Sequence, residues 1–166
     1  LDAADKLQGL KDGHRYRFIL LGDGARKQGL VDRARCMGLE NVIFLDSVPK
    51  EEVVRYWSLL DVGITHLKKE DLFKTVIPSK LFECMAMGIP VLHGVAGESA
   101  EIVEKEGVGL LFEPENAAEL CMKLQQVSQD KTLHACLRTR CLAAARGYDR
   151  AVLARRMLKS LVGLNR

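Results

Sequence analysis

Residues 76 to 91 read VIPSKLFECMAMGIPV, and they set one acid, Glu83, inside a run that is otherwise apolar after its Pro-Ser-Lys opening. A helix that is apolar nearly all round belongs in an interior, where a carboxylate is rare unless something pairs with it. Two readings fit. Lys80, three residues earlier, shares a helical face with Glu83 and can form an ion pair with it; alternatively, the carboxylate faces a ligand. Lys80 stands in the first turn, where a cation opposes the helix dipole but suits a phosphate just beyond the terminus. Residue type and spacing leave both readings open.

Other residues with chemical potential are scattered. Gly22 and Gly24 flank Asp23 in a loop that allows close backbone approach, although GDG is equally a tight turn. GDGARKQG lacks the GxGxxG spacing of a dinucleotide site, and neither a GxxxxGK[ST] phosphate loop nor a GxSxG elbow occurs. His66 and His93 follow apolar runs and read as partly exposed, hydrogen-bonding side chains rather than acid–base groups. Tyr56 and Trp57 read as core or rim, and Cys84 as inert core.

Five cysteines without a CxxC pair argue against a disulfide framework or a zinc site, and the four histidines are dispersed, so no metal is expected. A net charge of +3 and few aromatics argue against nucleic-acid binding. The basic stretch from Arg138 to Lys159 reads as a solvated helix face. At 48% hydrophobic and 28% charged residues, the 166-residue chain has the composition of one soluble globular domain. It contains no apolar stretch of membrane-spanning length and opens without signal-peptide organisation, from which a cytoplasmic location is expected.

The elements that must position these residues are legible as alternation. Short apolar runs (RFILLG, NVIFLDSV, DVGIT, IPVLHG and VGLLFEP) alternate with amphipathic stretches of helix length. That pattern predicts a doubly wound α/β fold, a parallel sheet with helices on both faces and strands buried on both sides. Pro49 opens the helix KEEVVRYWSLL. Ser79 is expected to cap the helix that carries Glu83, and Gly88 to close it in a left-handed turn. LDAADKLQGL reads as a helix with no strand before it, so a central first strand is expected to be missing. Ligands in such sheets bind beyond the carboxyl ends of the strands. The loop after the third run, HLKKEDLFKTVIPSK, is long enough to suggest function.

The order FILLGDG, NVIFLDSVPKEEVVRYWSLLDVGI, VIPSKLFECMAMGIPVL and GESAEIVEKEGVGLLFEPEN resembles the C-terminal, donor-binding half of a retaining glycosyltransferase with the two-Rossmann GT-B fold, glycosyltransferase family 4. PSKLFECMAMGIPV is its strongest part and is similar to the branch that builds bacterial surface polysaccharides. The resemblance implies a nucleotide-sugar-binding domain over residues 1 to 150, and a C-terminal helix over 151 to 166 that would cross to an absent N-terminal acceptor domain. It implies that Glu83 holds the ribose hydroxyls of a nucleotide diphosphate, UDP being expected. Lys80 would lie near the diphosphate with Pro78 and Ser79 beside it. Gly22, Asp23 and Gly24 would line the cleft, and the backbone of Ser47 and Val48 would meet the base. The family's first acid, eight residues before Glu83, is replaced by Thr75, with Glu70 and Asp71 nearby on the long loop.

The implied activity is hexosyl transfer to a glycan or lipid-linked acceptor with retention of configuration, without cofactor or metal, by a parent enzyme at the inner face of the membrane. The fragment alone is expected to be inactive. The alternative is a non-catalytic nucleotide-binding module of the same fold. A sugar-nucleotide epimerase is disfavoured, since no Tyr-x-x-x-Lys occurs at Tyr16, Tyr56 or Tyr148. The apolar stripe of VLARRMLKSLVGL is expected either to mediate self-association or to fold back on the sheet, with peripheral membrane attachment less favoured.

Overall fold

A computed structural model describes residues 1–163. The chain runs α1 (Asp2–Gln8), β1 (Phe18–Leu21), α2 (Lys27–Cys36), β2 (Val42–Leu45), α3 (Lys50–Trp57), β3 (Gly63–His66), α4 (Ser79–Met87), β4 (Val91–Gly94), α5 (Glu98–Glu106), β5 (Gly109–Leu111), α6 (Ala117–Gln129), α7 (Lys131–Ala145) and α8 (Arg150–Gly163). All five expected strands form at the expected runs, and every pairing among them is parallel. The fold is α/β, with parallel sheets flanked by helices.

The pairing separates into two ladders, β1 with β2 and β3-β4-β5. Among the described residues no backbone hydrogen bond joins β1 to β3. Packing unites the ladders instead. Residues of α1 (Ala3, Leu7) and α6 (Cys121, Leu124, Val127) form one core with Leu92 of β4, and Phe18 of β1 packs against it. On the other side, Leu81, Cys84 and Met85 of α4 meet Val91, Val103 of α5 and Cys141 of α7. Val91 and Leu92 are consecutive and so point to opposite faces. β4 is thus the strand between the two cores, and each fully buried Leu or Met contributes about 1.5–3 kcal/mol.

Burial on both sides, expected of every strand, holds for β4 alone. Leu20, Ile43 and Ile64 remain more than a third exposed, because the residues flanking β1, β2 and β3 do not cover both of their faces. The second correction concerns α4. Pro78, extended at φ −64° and ψ 127°, occupies the position before the helix, and Ser79 is its first residue and makes no cap. The far end is as expected: Gly88 is left-handed at φ 65°, its N–H bonds the Met85 carbonyl, and the Ile89 N–H reaches the Cys84 carbonyl at 2.9 Å. Asn116 and Asp130 cap α6 and α7 through the backbone N–H groups of Glu119 and Leu133.

Helix α8 does not fold back onto the sheets. Leu153, Met157, Leu158, Leu161 and Val162 are all exposed, with Met157 at 66%, and Arg155, Arg156 and Lys159 are solvated as expected. Its start is tied down two residues earlier: Tyr148 stacks on Phe82 of α4 at 5.0 Å between ring centroids and donates to Glu106 at 3.1 Å. The last three residues of the expected 151–166 unit lie outside the described residues. Among the described residues no helix is long and apolar enough to cross a membrane.

Candidate functional site

The candidate residues fall into two groups, both on loops that leave the carboxyl ends of strands. The first sits beyond β1 and β2. Gly22, at φ 136°, donates its N–H to the Leu45 carbonyl at 3.1 Å and so joins the two strand ends. The Asp23 carboxylate accepts from the Ser47 N–H at 3.2 Å, from the Ser47 hydroxyl, and from Lys27 Nζ at 3.1 Å. Lys27 Nζ also donates to the Leu45 carbonyl at 3.0 Å and to Asp46 Oδ1 at 2.6 Å. The Ser47 bonds, seconded by Lys27, hold the Asp23 carboxyl down at about 2, and the bond to Asp46 raises Lys27 above its ordinary value. Gly24 accepts the Lys27 N–H at 2.9 Å, closing the turn into α2.

Lys27 was not legible in the sequence. Asp23 lies at the local spacing of four residues, but Leu45 and Asp46 lie 18 and 19 residues away, beyond any helical or strand period. At Ser47 the N–H is spent on Asp23, and the next backbone donor, Val48, has no partner among the described residues.

The second group sits at the start of α4. Lys80 and Glu83 are both exposed, while Leu81, Cys84 and Met85 between and beside them are buried. Helical geometry produces this division: positions 81, 84 and 85 face the core, and 80 and 83 face away from it. Among the described residues neither Lys80 nor Glu83 has an ion-pair partner, so the Lys80–Glu83 pair does not form. The question raised by an acid in an apolar helix therefore has a structural answer: Glu83 lies on the outer face.

The long loop between β3 and α4 brings Thr75 next to this group in sequence, with its hydroxyl turned toward the Leu72 carbonyl at 3.4 Å. Asp71 is taken by Lys74 at 2.6 Å, which lowers its carboxyl, and Glu70 lies 3.8 Å from Lys68. The loop is moored to the β5–α6 connection, where the Lys69 N–H donates to Glu115 at 3.1 Å and Lys69 Nζ pairs with Glu113 at 2.5 Å. Glu115 accepts a left-handed backbone, φ 65°, to make that reach.

The two histidines differ in surroundings. His66 is exposed. His93, expected to be partly exposed, is wholly buried, with Nε2 2.8 Å from the Ser99 hydroxyl, and burial pushes its ring down to about 4. Burial likewise pushes the Cys84 thiol up to about 12, leaving it inert as expected. Cavities of about 440 and 420 Å³ open beside Tyr148 and beyond β4; His93 borders the second, and no residue of the two groups built on Asp23 and on Lys80 and Glu83 lines either one. Both candidate groups lie instead on open surface.

The model of the family described as glycosyl transferases group 1 matches residues 1–130. The chain belongs to that family. Its fold is that of the C-terminal domain of GT-B glycosyltransferases. It superposes on the C-terminal domain of the glycosyl transferase group 1 family protein LpcC from Francisella tularensis with a TM-score of 0.69, at 21% identity, over 86% of this chain and 73% of that one. It superposes on Anabaena HepE, solved in complex with UDP-glucose, with a TM-score of 0.77, at 20% identity, over 97% of this chain and 44% of that one. A Bacillus subtilis (strain 168) protein named as a teichuronic acid biosynthesis glycosyltransferase, TuaH, is 35% identical over 77 residues, 46% of this chain and 19% of that protein. This group 1 domain therefore spans about a fifth of that relative's length and under half of HepE's.

Proposed function

We propose that this group 1 domain binds the nucleotide diphosphate end of an activated sugar, UDP-linked, and that the whole protein transfers the hexosyl group to a glycan or lipid-linked acceptor with retention of configuration, as in glycosyltransferase family 4. The observation that carries the reading is the outward placement of Lys80 and Glu83 on the first turns of α4, without an ion-pair partner among the described residues and beside wholly buried neighbours. A carboxylate held there is an acceptor for two ribose hydroxyls. Lys80 and the free N–H groups of the α4 terminus meet the negative charge that gathers on the diphosphate as the bond to the sugar breaks, which is preorganised electrostatic stabilisation without a bound metal. The Val48 backbone takes the base, Pro78 and Ser79 flank the phosphates, and Thr75 stands toward the sugar. A second domain of the same polypeptide, at the inner face of the membrane, supplies the acceptor and the opposite wall of an open site.

Calorimetric titration with UDP tests the reading. Glu83→Ala is expected to fold normally, since the side chain is exposed, and to bind UDP about tenfold or more weakly, as loss of charged hydrogen bonds worth roughly 1.5–3 kcal/mol each implies. Unchanged UDP affinity in the folded variant refutes the assignment of Glu83. Binding of UDP with no gain from any attached sugar supports a non-catalytic module instead.

A further inference from the structure

The Lys27 ammonium has three protons and three acceptors: Asp23 Oδ1, the Leu45 carbonyl and Asp46 Oδ1. Both oxygens of Asp23 are occupied as well, one by Lys27 and the other by the N–H and hydroxyl of Ser47. Three consecutive residues at the end of β2 and just beyond it, Leu45 to Ser47, are thereby fastened to the loop beyond β1 and the start of α2. Val48 follows immediately, half-buried and with its N–H unclaimed among the described residues.

Stability does not account for so many bonds at one place. Lys27 is 22% exposed at the side chain, but its carboxylate partners stay in water, Asp46 at 92% and Asp23 at 58%, and ion pairs to solvated carboxylates contribute little to folding. Their effect is local geometry. Resting on the reading above, we infer that Asp23 and Lys27 are positioning residues: they fix the 45–48 loop so that the Val48 backbone presents one set of hydrogen-bonding groups to the edge of a pyrimidine base, and so select uracil over cytosine. The chemistry favours this discrimination. Uracil offers N3–H as a donor beside the O4 acceptor, whereas cytosine offers the reverse, an N3 acceptor beside an amine donor. A peptide free to turn over satisfies either base; a peptide that is fastened satisfies one.

The test uses the 166-residue chain and the variants Lys27→Met, Asp23→Asn and Asp46→Asn, the last at so exposed a position that folding is not at stake. UDP, CDP and inorganic pyrophosphate are titrated calorimetrically, and amide exchange at Ser47 is followed in the absence of nucleotide. The unchanged chain is expected to prefer UDP to CDP. In Lys27→Met that preference falls about fivefold, the equivalent of one net hydrogen bond. Pyrophosphate affinity and melting temperature stay put, and Ser47 exchange accelerates about tenfold as local opening becomes easier. Lys27→Arg restores part of the preference. An unchanged chain that binds UDP and CDP alike, or folded variants that keep its UDP-to-CDP ratio, overturns this inference while leaving the donor-binding reading in place. Failure of the unchanged chain to bind any nucleotide overturns both.

Discussion

The carbonyl oxygen of Lys74 lies where a side chain on Gly97 would begin: a β-carbon built on Gly97 falls 2.0 Å from it. Gly97 precedes α5 at φ 87°, so glycine is required there twice over, by backbone conformation and by contact. This close approach seats the 3-10 turn Asp71–Thr75 on the start of α5, and it fixes where Thr75 stands. Gly97→Ala is therefore expected to lose about 1–3 kcal/mol of stability and to displace the turn. Thermal unfolding and the ratio of UDP-glucose to UDP affinity read the two effects separately. An unshifted melting temperature means that the contact is dispensable.

Lys80 acts through charge on a phosphate. Lys80→Ala is expected to weaken UDP about tenfold while leaving uridine within about twofold, and raising the salt from about 0.05 to 0.5 M should narrow the gap because the screening length shortens and exposed charges attract less. Equal losses for UDP and uridine would remove Lys80 from the diphosphate.

His93 makes stability depend on acid. The folded ring resists protonation down to about 4 because it is buried, whereas an unfolded histidine takes up its proton near 6.5. The unfolded chain therefore binds the extra proton between those values. Stability is full above the unfolded value, falls as pH drops through this window, and levels off below about 4 as far as this residue is concerned. Urea unfolding at pH 7 and pH 4.5 should show a loss about 2 kcal/mol larger in the native chain than in His93→Gln. Equal losses in the two proteins would mean that His93 is protonated in the folded state without penalty.

Helix α8 offers a contrast within one molecule. Met157→Gln and Leu161→Gln are expected to change stability by no more than about 0.5 kcal/mol, since both side chains are already in water. Met85→Ala, at a wholly buried position, should cost about 2–5 kcal/mol. Sedimentation of the intact chain is expected to show association that deepens with concentration and disappears on truncation after Tyr148. A monomer in both cases, with no affinity for anionic vesicles, would leave the stripe without a function in this chain.

Most of the architecture was legible because it rests on local rules. Runs such as RFILLG and IPVLHG became strands where expected, and the left-handed Gly88 closed α4 where a glycine after an apolar helix predicts it. What escaped depends on pairs distant in sequence. The Lys27 bonds to Leu45 and Asp46, the Lys69 bonds to Glu113 and Glu115, and the seat of Lys74 on Gly97 all join residues 18 to 46 positions apart. No periodicity announces them. The cap was misassigned because Pro78 and Ser79 both favour a helix start, and only the backbone angles of Pro78 decide which of them is the first helical residue. His93 lies within β4, and in the sequence a histidine there looks the same whether or not the next helix covers it; Ser99 of α5 covers it.

The gap between the two ladders has a mechanical meaning. Asp23, Lys27 and Ser47 ride on one ladder, and Lys80 and Glu83 follow the other. Side-chain packing holds the halves together without a hydrogen-bonded zip across the seam. A nucleotide whose base rests on one half and whose ribose and phosphates rest on the other would staple that seam. It would stiffen the domain along that seam, so the slowing of amide exchange on binding should extend into β1 and β3, past every residue that touches the ligand.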